Sequence, residues 1–198
     1  MHPVPSVSIA QLHHAMDTLA YGGIIAYPTE AVFGLGCDVF SADAVGRLLA
    51  LKRRPWSKGL IVVAANVDQL APLLETLSAS QIDRLQESWP GPTTWVIPDP
   101  KHTMPAWIRG QHDSVAVRIS SHPTVMQLCE AWGAPLVSTS ANYAGEEAIR
   151  TAMQLRLRQR RGQLETLDYI VNGDSLGHKN PSEIKDLVSG QVLRIGKG

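Results

Sequence analysis

The 198-residue sequence predicts an α/β fold: a twisted, mixed (parallel and antiparallel) open sheet with flanking helices. Two observations support this prediction. Apolar runs of strand length alternate along the chain with segments of helical periodicity, which is the pattern of α/β layering. A strand–turn–strand pattern at residues 183–195 closes the chain, and this antiparallel hairpin argues against an all-parallel sheet. No repeat, low-complexity segment or linker interrupts the pattern, so residues 1–198 are expected to form a single domain.

The individual elements follow from local patterning. Strands are predicted at 22–28, 59–65, 93–98, 114–120, 135–139 and 167–171, before the closing hairpin with Ser189-Gly190 as its turn. Ser41 is a good cap for a helix over 42–52, which carries Val45 and Leu48 on one face. Further helices are predicted at 67–77, 79–88, 121–133 and 151–161.

Composition excludes several classes of protein. Lysine plus arginine equals aspartate plus glutamate, 18 each, so global charge predicts neither a nucleic-acid nor a membrane partner. Cys37 and Cys129 lie far apart, a pattern typical of buried thiols in a reducing compartment. The N-terminus has no secretory pattern, and no run approaches the ~20 apolar residues of a membrane span. A cytoplasmic protein with no membrane contact is expected.

YPTEAVFGLGCD, residues 27–38, follows the first predicted strand. Its Pro-Thr-Glu turn, together with Gly34 and Gly36, would allow a ligand to approach the backbone closely. Taken alone, a simple glycine-bearing turn is the favoured interpretation. The segment is not a Walker loop, and the dinucleotide pattern GxGxxG is also absent from the chain.

LKRRPWSKGL, residues 51–60, concentrates four cations. Cations at a helix C-terminus complement the helix dipole, which is one interpretation. Pro55 supports another, because the residue before proline is disfavoured in the helical conformation and Arg54 should therefore be extended. Lys52 and Arg54 would then point the same way and could clamp a phosphate. The segment alone does not separate the two interpretations.

PLVSTSANYAG, residues 135–145, begins as a buried strand and ends in hydroxyls. If the backbone stays extended, Ser138, Ser140 and Asn142 share one side and Thr139 faces the other. Such groups at the end of an α/β strand suit a polar or anionic ligand. The alternative is a Ser/Thr turn that satisfies its own backbone.

Several arginines have two interpretations. Arg118 in SVAVRIS and Arg194 in QVLRIG would lie on a solvent face, or bind a carboxylate if that face lines a cleft. A second group forms a basic helix and its end, either a solvated face or an RNA-contacting surface: Arg150, Arg156, Arg158, Arg160 and Arg161. No His/Asp/Glu spacing predicts a metal site.

Together these motifs resemble the YrdC-like family, most closely its short bacterial form. The matching pieces, in family order, are AYPTEAVFGLGCD, the KxR pair of Lys52 and Arg54, WPGPTTWV, SVAVRIS, PLVSTSAN, NPSEI and the terminal LRIG. They extend from about residue 24 to residue 196, nearly the whole chain. Two features depart from longer relatives: a histidine after the second strand is missing, and NPSEI replaces a commoner late serine motif. The separate C-terminal domain of those relatives is also absent.

The resemblance implies an activity and partners. Family members join L-threonine, bicarbonate and ATP, with Mg²⁺, into L-threonylcarbamoyladenylate and pyrophosphate, a nucleotidyltransferase reaction. A TsaD, TsaB and TsaE assembly then moves the threonylcarbamoyl group onto the tRNA adenosine next to the anticodon. The implied fold has a concave basic cleft. Family members are also associated with tRNA and double-stranded RNA, so a non-catalytic RNA-binding module is the alternative function.

The resemblance also implies roles for individual residues. The KxR and SxN elements fall on Lys52, Arg54, Ser140 and Asn142, which are expected to hold the ATP phosphates and the reacting carbamate. Thr29 and Arg118 match threonine-binding positions, the arginine gripping the carboxylate. The remaining expected ATP contacts are Lys58, Thr94, Ser138, Ser182 and Arg194.

Overall fold

A computed structural model describes residues 7–143, 146–178 and 182–195, and within them nine strands form one mixed sheet. The strands are β1 (Ile25–Pro28), β2 (Phe33–Gly36), β3 (Ile61–Ala64), β4 (Thr93–Pro98), β5 (Ser114–Ile119), β6 (Leu136–Ser140), β7 (Tyr169–Ile170), β8 (Glu183–Asp186) and β9 (Val192–Arg194). Their order is β7-β1-β2-β6-β3-β5-β4-β8-β9. The pairs β1–β7, β3–β5 and β4–β8 are parallel and the other neighbours are antiparallel. The predicted mixed sheet is confirmed.

Helices flank this sheet. They are α1 (Ile9–Ala20), α2 (Ala42–Lys52), α3 (Ala71–Leu74), α4 (Ala79–Gln86), α5 (Ala106–Arg109), α6 (Pro123–Trp132) and α7 (Ala152–Arg160). The Ser41 hydroxyl accepts the Ala44 N–H at 3.3 Å, as its capping role predicts. Helix α6 ends at Gly133, where φ is 73° and glycine carries no steric penalty. Considering the described residues only, no helix has the length and apolar character needed to cross a membrane.

Side-chain alternation along the strands produces a core on each face of the sheet. In β1, Ala26 belongs to the larger cluster, which includes Leu48 of α2. Its neighbour Tyr27 belongs to a second cluster with Leu19 of α1 and Leu128 of α6. Because successive strand residues point to opposite faces, α1 and α6 cover one side and α2 the other.

Three local predictions differ from the structure. Residues 33–36, favoured as part of a turn, form strand β2, which pairs with both β1 and β6. Helix α1 was not predicted, although Leu12, Met16 and Leu19 have helical spacing. In the closing hairpin, the Asp186 N–H donates to the Gln191 carbonyl at 2.9 Å. The loop of the hairpin is therefore longer than the predicted two-residue turn Ser189-Gly190. The sequence marks these features only weakly, because the glycines of β2 resemble those of a turn and α1 has only the spacing of its apolar residues.

The backbone around Arg54 is also different from the prediction. Lys52 remains helical, and Arg53 adopts a left-handed conformation with φ of 48°. The Arg54 N–H then donates to the Leu49 carbonyl at 3.0 Å, so the chain folds back over the end of α2. The helix does end before Arg54, as predicted, but the left-handed Arg53 lies between helical Lys52 and Arg54. Lys52 and Arg54 therefore do not share a direction by strand alternation.

Candidate active site

A cavity of about 480 Å³ lies on the sheet face that α1 and α6 partly cover. Leu136 of β6 packs in the cluster beneath those helices. Ser138 and Ser140 follow at two-residue intervals on the same strand, therefore on the same face, and they line the cavity. This face changes from apolar to polar along one strand. A cavity of this volume is in the range that holds small-molecule ligands.

Strand β2 forms part of the cavity floor because it presents glycine to this face. A Cβ on Gly34 would lie 3.3 Å from the Thr29 methyl group and 3.4 Å from the Ser138 hydroxyl. A Cβ on Gly36 would lie 2.4 Å from the Val137 carbonyl oxygen, closer than any side chain tolerates. Gly36 is thus required for strand packing, and Gly34 keeps the space between two lining residues open.

The cavity wall is rich in cations. Its described lining includes one carboxylate, Glu30, and five cationic residues: Arg54, Lys58, Arg109, Arg118 and Arg194. The Arg54 guanidinium donates to the Gly59 carbonyl at 2.9 Å, and burial lowers its pKa. Burial also lowers the pKa of Arg194, and the charges of Arg118 and Arg54 lower it further. These guanidinium groups therefore repel one another, which favours binding of an anion between them.

Lys52 does not belong to the described cavity lining. Its ammonium donates to the main-chain carbonyls of Ser140 and Asn142. Burial, and secondarily the charge of Arg54, lower its pKa from 10.5 to about 8. Lys52 thus lies behind the hydroxyl segment and supports its backbone, whereas Arg54 reaches the cavity itself.

The hydroxyl segment borders the cavity, and Ser138, Thr139 and Ser140 all belong to its lining. Thr139 lies between the two serines on one strand, so its side chain points to the opposite face of the sheet, as predicted. The Asn142 amide instead donates to the Tyr143 and Glu146 carbonyls, at 3.1 and 2.7 Å. The Asn142 Oδ1 atom is buried and has no hydrogen-bond partner among the described residues. The structure therefore brings Ser138 and Ser140 to the cavity and places Asn142 beside it.

The two residues expected to bind threonine, Thr29 and Arg118, both line the cavity. The Thr29 hydroxyl donates to the Val32 carbonyl at 2.7 Å. Arg118 is buried, and its Nη1 donates to the Glu30 carboxylate at 2.7 Å. Of the two interpretations from the sequence, the structure supports a cleft-lining arginine over one on the solvent face.

The positions expected on the nucleotide side form a connected set. Ser182 and Arg194 line the cavity, and the Arg194 Nη2 donates to the Ser182 carbonyl at 2.7 Å. Thr94 is fully buried, with its hydroxyl 2.9 Å from that of Ser182. Thr94 therefore supports Ser182. Lys58 is exposed and lines the cavity.

Sequence reasoning missed part of the cavity wall. Glu30 was noted only as part of the Pro-Thr-Glu turn, although a carboxylate beside two apolar segments signals a buried partner. Arg109, His112 and His178 also line the cavity, and no motif marks them. Within the described ranges, no group of His, Cys, Asp and Glu side chains is arranged to hold a metal ion.

Three of the five arginines in and next to the basic helix have side-chain contacts within the protein. Arg156 donates to the Asn172 side chain at 2.5 Å, and Arg158 pairs with Glu146. Arg150 donates to the Ala31 carbonyl at 3.1 Å. These contacts give the helix a structural use that does not depend on RNA.

The fold and cavity define a mixed α/β protein with a cavity lined by polar and cationic residues. The family model for Sua5, YciO and YrdC proteins, described as "Telomere recombination", matches residues 17–196. A threonylcarbamoyl-AMP synthase from Pseudomonas aeruginosa is 57% identical over 173 residues, covering 87% of this chain and 90% of that protein. One from Yersinia enterocolitica is 50% identical over 189 residues, covering 94% and 96%. This chain belongs to the Sua5/YciO/YrdC family.

Solved structures agree with the fold. P. abyssi Sua5 complexed with L-threonine aligns with a TM-score of 0.77 and 28% identity, covering 88% of this chain and 50% of that one. This chain thus spans about half the length of the P. abyssi protein. E. coli YciO aligns with a TM-score of 0.81 and 23% identity, covering 96% and 90%, and at that identity it supports the fold alone. The predicted YrdC-like fold is confirmed.

Proposed function

We propose that this protein condenses L-threonine, bicarbonate and ATP into L-threonylcarbamoyladenylate with release of pyrophosphate. The observation that carries the proposal is the cavity wall, where Arg54, Lys58 and Arg194 have no carboxylate partner among the described residues. Cations that line one cavity and have no carboxylate partners favour a polyanion such as a triphosphate. The names of the relatives, threonylcarbamoyl-AMP synthase, fit this chemistry.

The reaction needs orientation and charge neutralisation more than a reactive side chain. The threonine amine attacks the carbon of bicarbonate or carbon dioxide and forms a carbamate. A carbamate oxygen then attacks the α-phosphorus of ATP, and the bond to the leaving pyrophosphate breaks. Such phosphoryl chemistry is accelerated by positioned cations, which here would be Arg54, Lys58 and Arg194.

The remaining site residues have supporting roles in the proposal. Arg118 and Thr29 would hold threonine, and the hydroxyls of Ser138 and Ser140 would bind the nucleotide or carbamate between them. Lys52 would act through the Ser140 main chain, to which it donates. Asn142 would contribute through the same segment.

Mg²⁺ would enter as part of the ATP substrate. The described cavity lining has a single carboxylate, Glu30, and that carboxylate already accepts from Arg118. Mg²⁺ commonly keeps several waters and binds through substrate phosphates. The metal would then neutralise the developing charge on pyrophosphate together with the arginines.

The product would supply tRNA modification in the cytoplasm. Threonylcarbamoyladenylate is a mixed anhydride and a reactive acyl donor, so it must be passed to a transferase. We propose that a TsaD, TsaB and TsaE assembly uses it on tRNA. Contact of this protein with tRNA or double-stranded RNA would be secondary to catalysis.

The decisive experiment measures pyrophosphate release by the purified protein supplied with Mg²⁺, ATP, L-threonine and bicarbonate. We expect release to require all of them, and mass spectrometry should detect L-threonylcarbamoyladenylate. Matched reactions without threonine, and with L-alanine in its place, are the controls. An RNA-binding module without catalysis would bind tRNA but release no pyrophosphate, and that result would refute the proposal.

A further inference from the structure

The geometry points to Glu30 as a positioning residue that orients Arg118 toward the carboxylate of the amino-acid substrate. Glu30 would not contact substrate itself. It would hold one nitrogen of the Arg118 guanidinium and leave another edge of that group for the ligand. The inference rests on the proposed function, because it assigns threonine to the Arg118 side of the cavity.

The Glu30 carboxylate is held on both oxygens. Its Oε2 accepts from Arg118 Nη1 at 2.7 Å. Its Oε1 accepts from the Ser120 hydroxyl at 2.6 Å and from the Ser121 N–H at 3.3 Å. The side chains of Glu30 and Arg118 are 3% and 8% exposed. Charge-assisted bonds in so dry an environment hold both groups in one geometry.

One edge of the Arg118 guanidinium remains available to a ligand. Glu30 engages Nη1, whereas Arg118 Nε is buried and has no hydrogen-bond partner among the described residues. In a planar guanidinium, Nε and Nη2 form one edge that can grip a carboxylate with two parallel bonds. Arg118 lines the cavity together with Thr29. A substrate carboxylate would satisfy the donor that the protein leaves unpaired.

Glu30 is itself anchored from two directions. The Ser120 hydroxyl that donates to Glu30 also accepts the His122 N–H at 3.1 Å, just before α6. The Glu30 carbonyl accepts the His178 N–H at 3.0 Å. These contacts hold both the carboxylate and the main chain of Glu30 in place. Arg118 is therefore confined to the orientation that Glu30 permits.

Stability alone does not account for this pair. Replacing a buried ion pair by apolar residues of similar volume is often neutral or stabilising, so such a pair at a cavity wall needs another reason. Burial tends to raise the pKa of Glu30, but Arg118 and then the Ser120 hydroxyl bring it below its ordinary value. The carboxylate thus stays ionised at neutral pH and continues to hold the arginine.

The test compares Glu30→Gln with wild type in binding of L-threonine and L-threoninol, which lacks the carboxylate, and in steady-state kinetics. Glutamine has the same shape but loses the ion pair. We expect the threonine dissociation constant and KM to rise about 10–100-fold, the range of one charge-assisted bond. Threoninol binding and the KM for ATP should stay close to wild type. The variant should therefore discriminate less between threonine and threoninol.

Two further variants keep the test decisive if Glu30→Gln folds poorly. Ser120→Ala retains the ion pair and removes one bond to Glu30, so a smaller loss of threonine affinity, about threefold to tenfold, is expected. Ser121→Ala is the matched control, because the exposed Ser121 contacts Glu30 through its backbone N–H only. Its threonine affinity should equal that of wild type.

Three results would overturn the inference. One is unchanged threonine affinity in a folded Glu30→Gln protein, and another is unchanged affinity in Ser120→Ala. The third is an equal rise in the KM of ATP and threonine with a lowered melting temperature, which would show a purely structural role. Failure of the proposed function is distinguishable, because wild type would then release no pyrophosphate whatever its threonine affinity.

Discussion

The ammonium of Lys52 donates to the main-chain carbonyl of Ser140, 88 residues further along the chain. The last residue of α2 is thereby attached to the last residue of β6. The cationic segment and the hydroxyl segment meet beside one cavity, as the sequence predicts, but Lys52 makes its contact through main-chain atoms. Arg54 is the member of the KxR pair that lines the cavity. This division of roles leads to separate predictions for the two residues.

Arg54→Ala should abolish most of the catalytic activity and leave the fold intact. The Arg54 side chain bonds to carbonyls at the cavity wall, and removing one aimed charge donor typically costs ~10²–10³ in rate. The measurement is threonine- and bicarbonate-dependent ATP–pyrophosphate exchange, with circular dichroism to verify folding. Exchange at nearly the wild-type rate would refute the role.

Arg53→Gly is the matched control for that variant. It removes the same charge from the adjacent residue, which is exposed and has a φ of 48°. Glycine adopts this conformation without strain, but the variant loses the Arg53 guanidinium that lies 5.4 Å from the centre of the Tyr143 ring, so the melting temperature should change little. Exchange activity should stay close to that of wild type, because Arg53 is exposed and does not belong to the described cavity lining. A loss of exchange activity as large as that of Arg54→Ala would show that the net charge of the segment matters, rather than the position of the Arg54 side chain at the cavity.

Lys52 should make the stability of the unliganded protein depend on alkaline pH. Its pKa in the folded chain is about 8, below the ordinary 10.5. Between those values the unfolded chain binds more protons, so the free energy of unfolding rises with pH. Relative to Lys52→Met, wild type should gain stability across that window and show a constant difference below it. Urea denaturation of both proteins at several pH values measures this, and a wild type that loses stability relative to Lys52→Met between pH 8 and pH 10.5 would contradict the lowered pKa.

Both cysteines should resist thiol reagents in the native protein. Cys37 and Cys129 are buried and free, and burial raises the pKa of each thiol to about 12. Only the thiolate reacts, so at neutral pH almost no reactive form is present. A coloured disulfide reagent should react with neither thiol before denaturant is added and with both afterwards. Rapid reaction of one thiol in the native state would show that it is accessible.

Two glycine-to-alanine substitutions should have opposite effects on stability. Gly46 lies inside α2 with no atom within 4 Å of its Cβ position, so Gly46→Ala should stabilise by about 0.5–1 kcal/mol. That corresponds to a melting temperature higher by roughly 1–4 °C. A Cβ at Gly36 would meet the Val137 carbonyl oxygen at 2.4 Å, and overpacking of this kind costs about 1–3 kcal/mol or more. Thermal unfolding of both variants checks the pair, and destabilisation by Gly46→Ala would contradict the open space at that position.

Local sequence patterns predicted most of the fold. Strands β4 and β5, the Ser41 cap and the end of α6 at Gly133 all depend on neighbouring residues, so they were predicted almost to the residue. Strand β2 was missed because its two glycines resemble a turn until β1 and β6 are present to pair with them. The proline rule ended α2 correctly, but it did not predict that Arg53 would reverse the chain.

The candidate site was predicted less completely than the fold. The motifs placed Arg54, Arg118 and Ser140 in one site, and all three line the cavity. They did not predict that Lys52 contacts main-chain carbonyls. Nor did they predict that the Asn142 amide turns toward Tyr143 and Glu146. Side-chain direction depends on neighbours that are distant in sequence, and no local pattern records it.

The sequence by itself determined the α/β class, the succession of helices and strands, and the segments that carry polar groups. These properties follow from periodicity, capping and turn residues, which act over a few neighbouring positions. Only the tertiary structure decided that Glu30 holds Arg118, two residues 88 positions apart. Sheet pairing and burial bring such groups together. An unpaired charge in that water-poor environment would carry a large desolvation cost, so the two charged groups pair with each other.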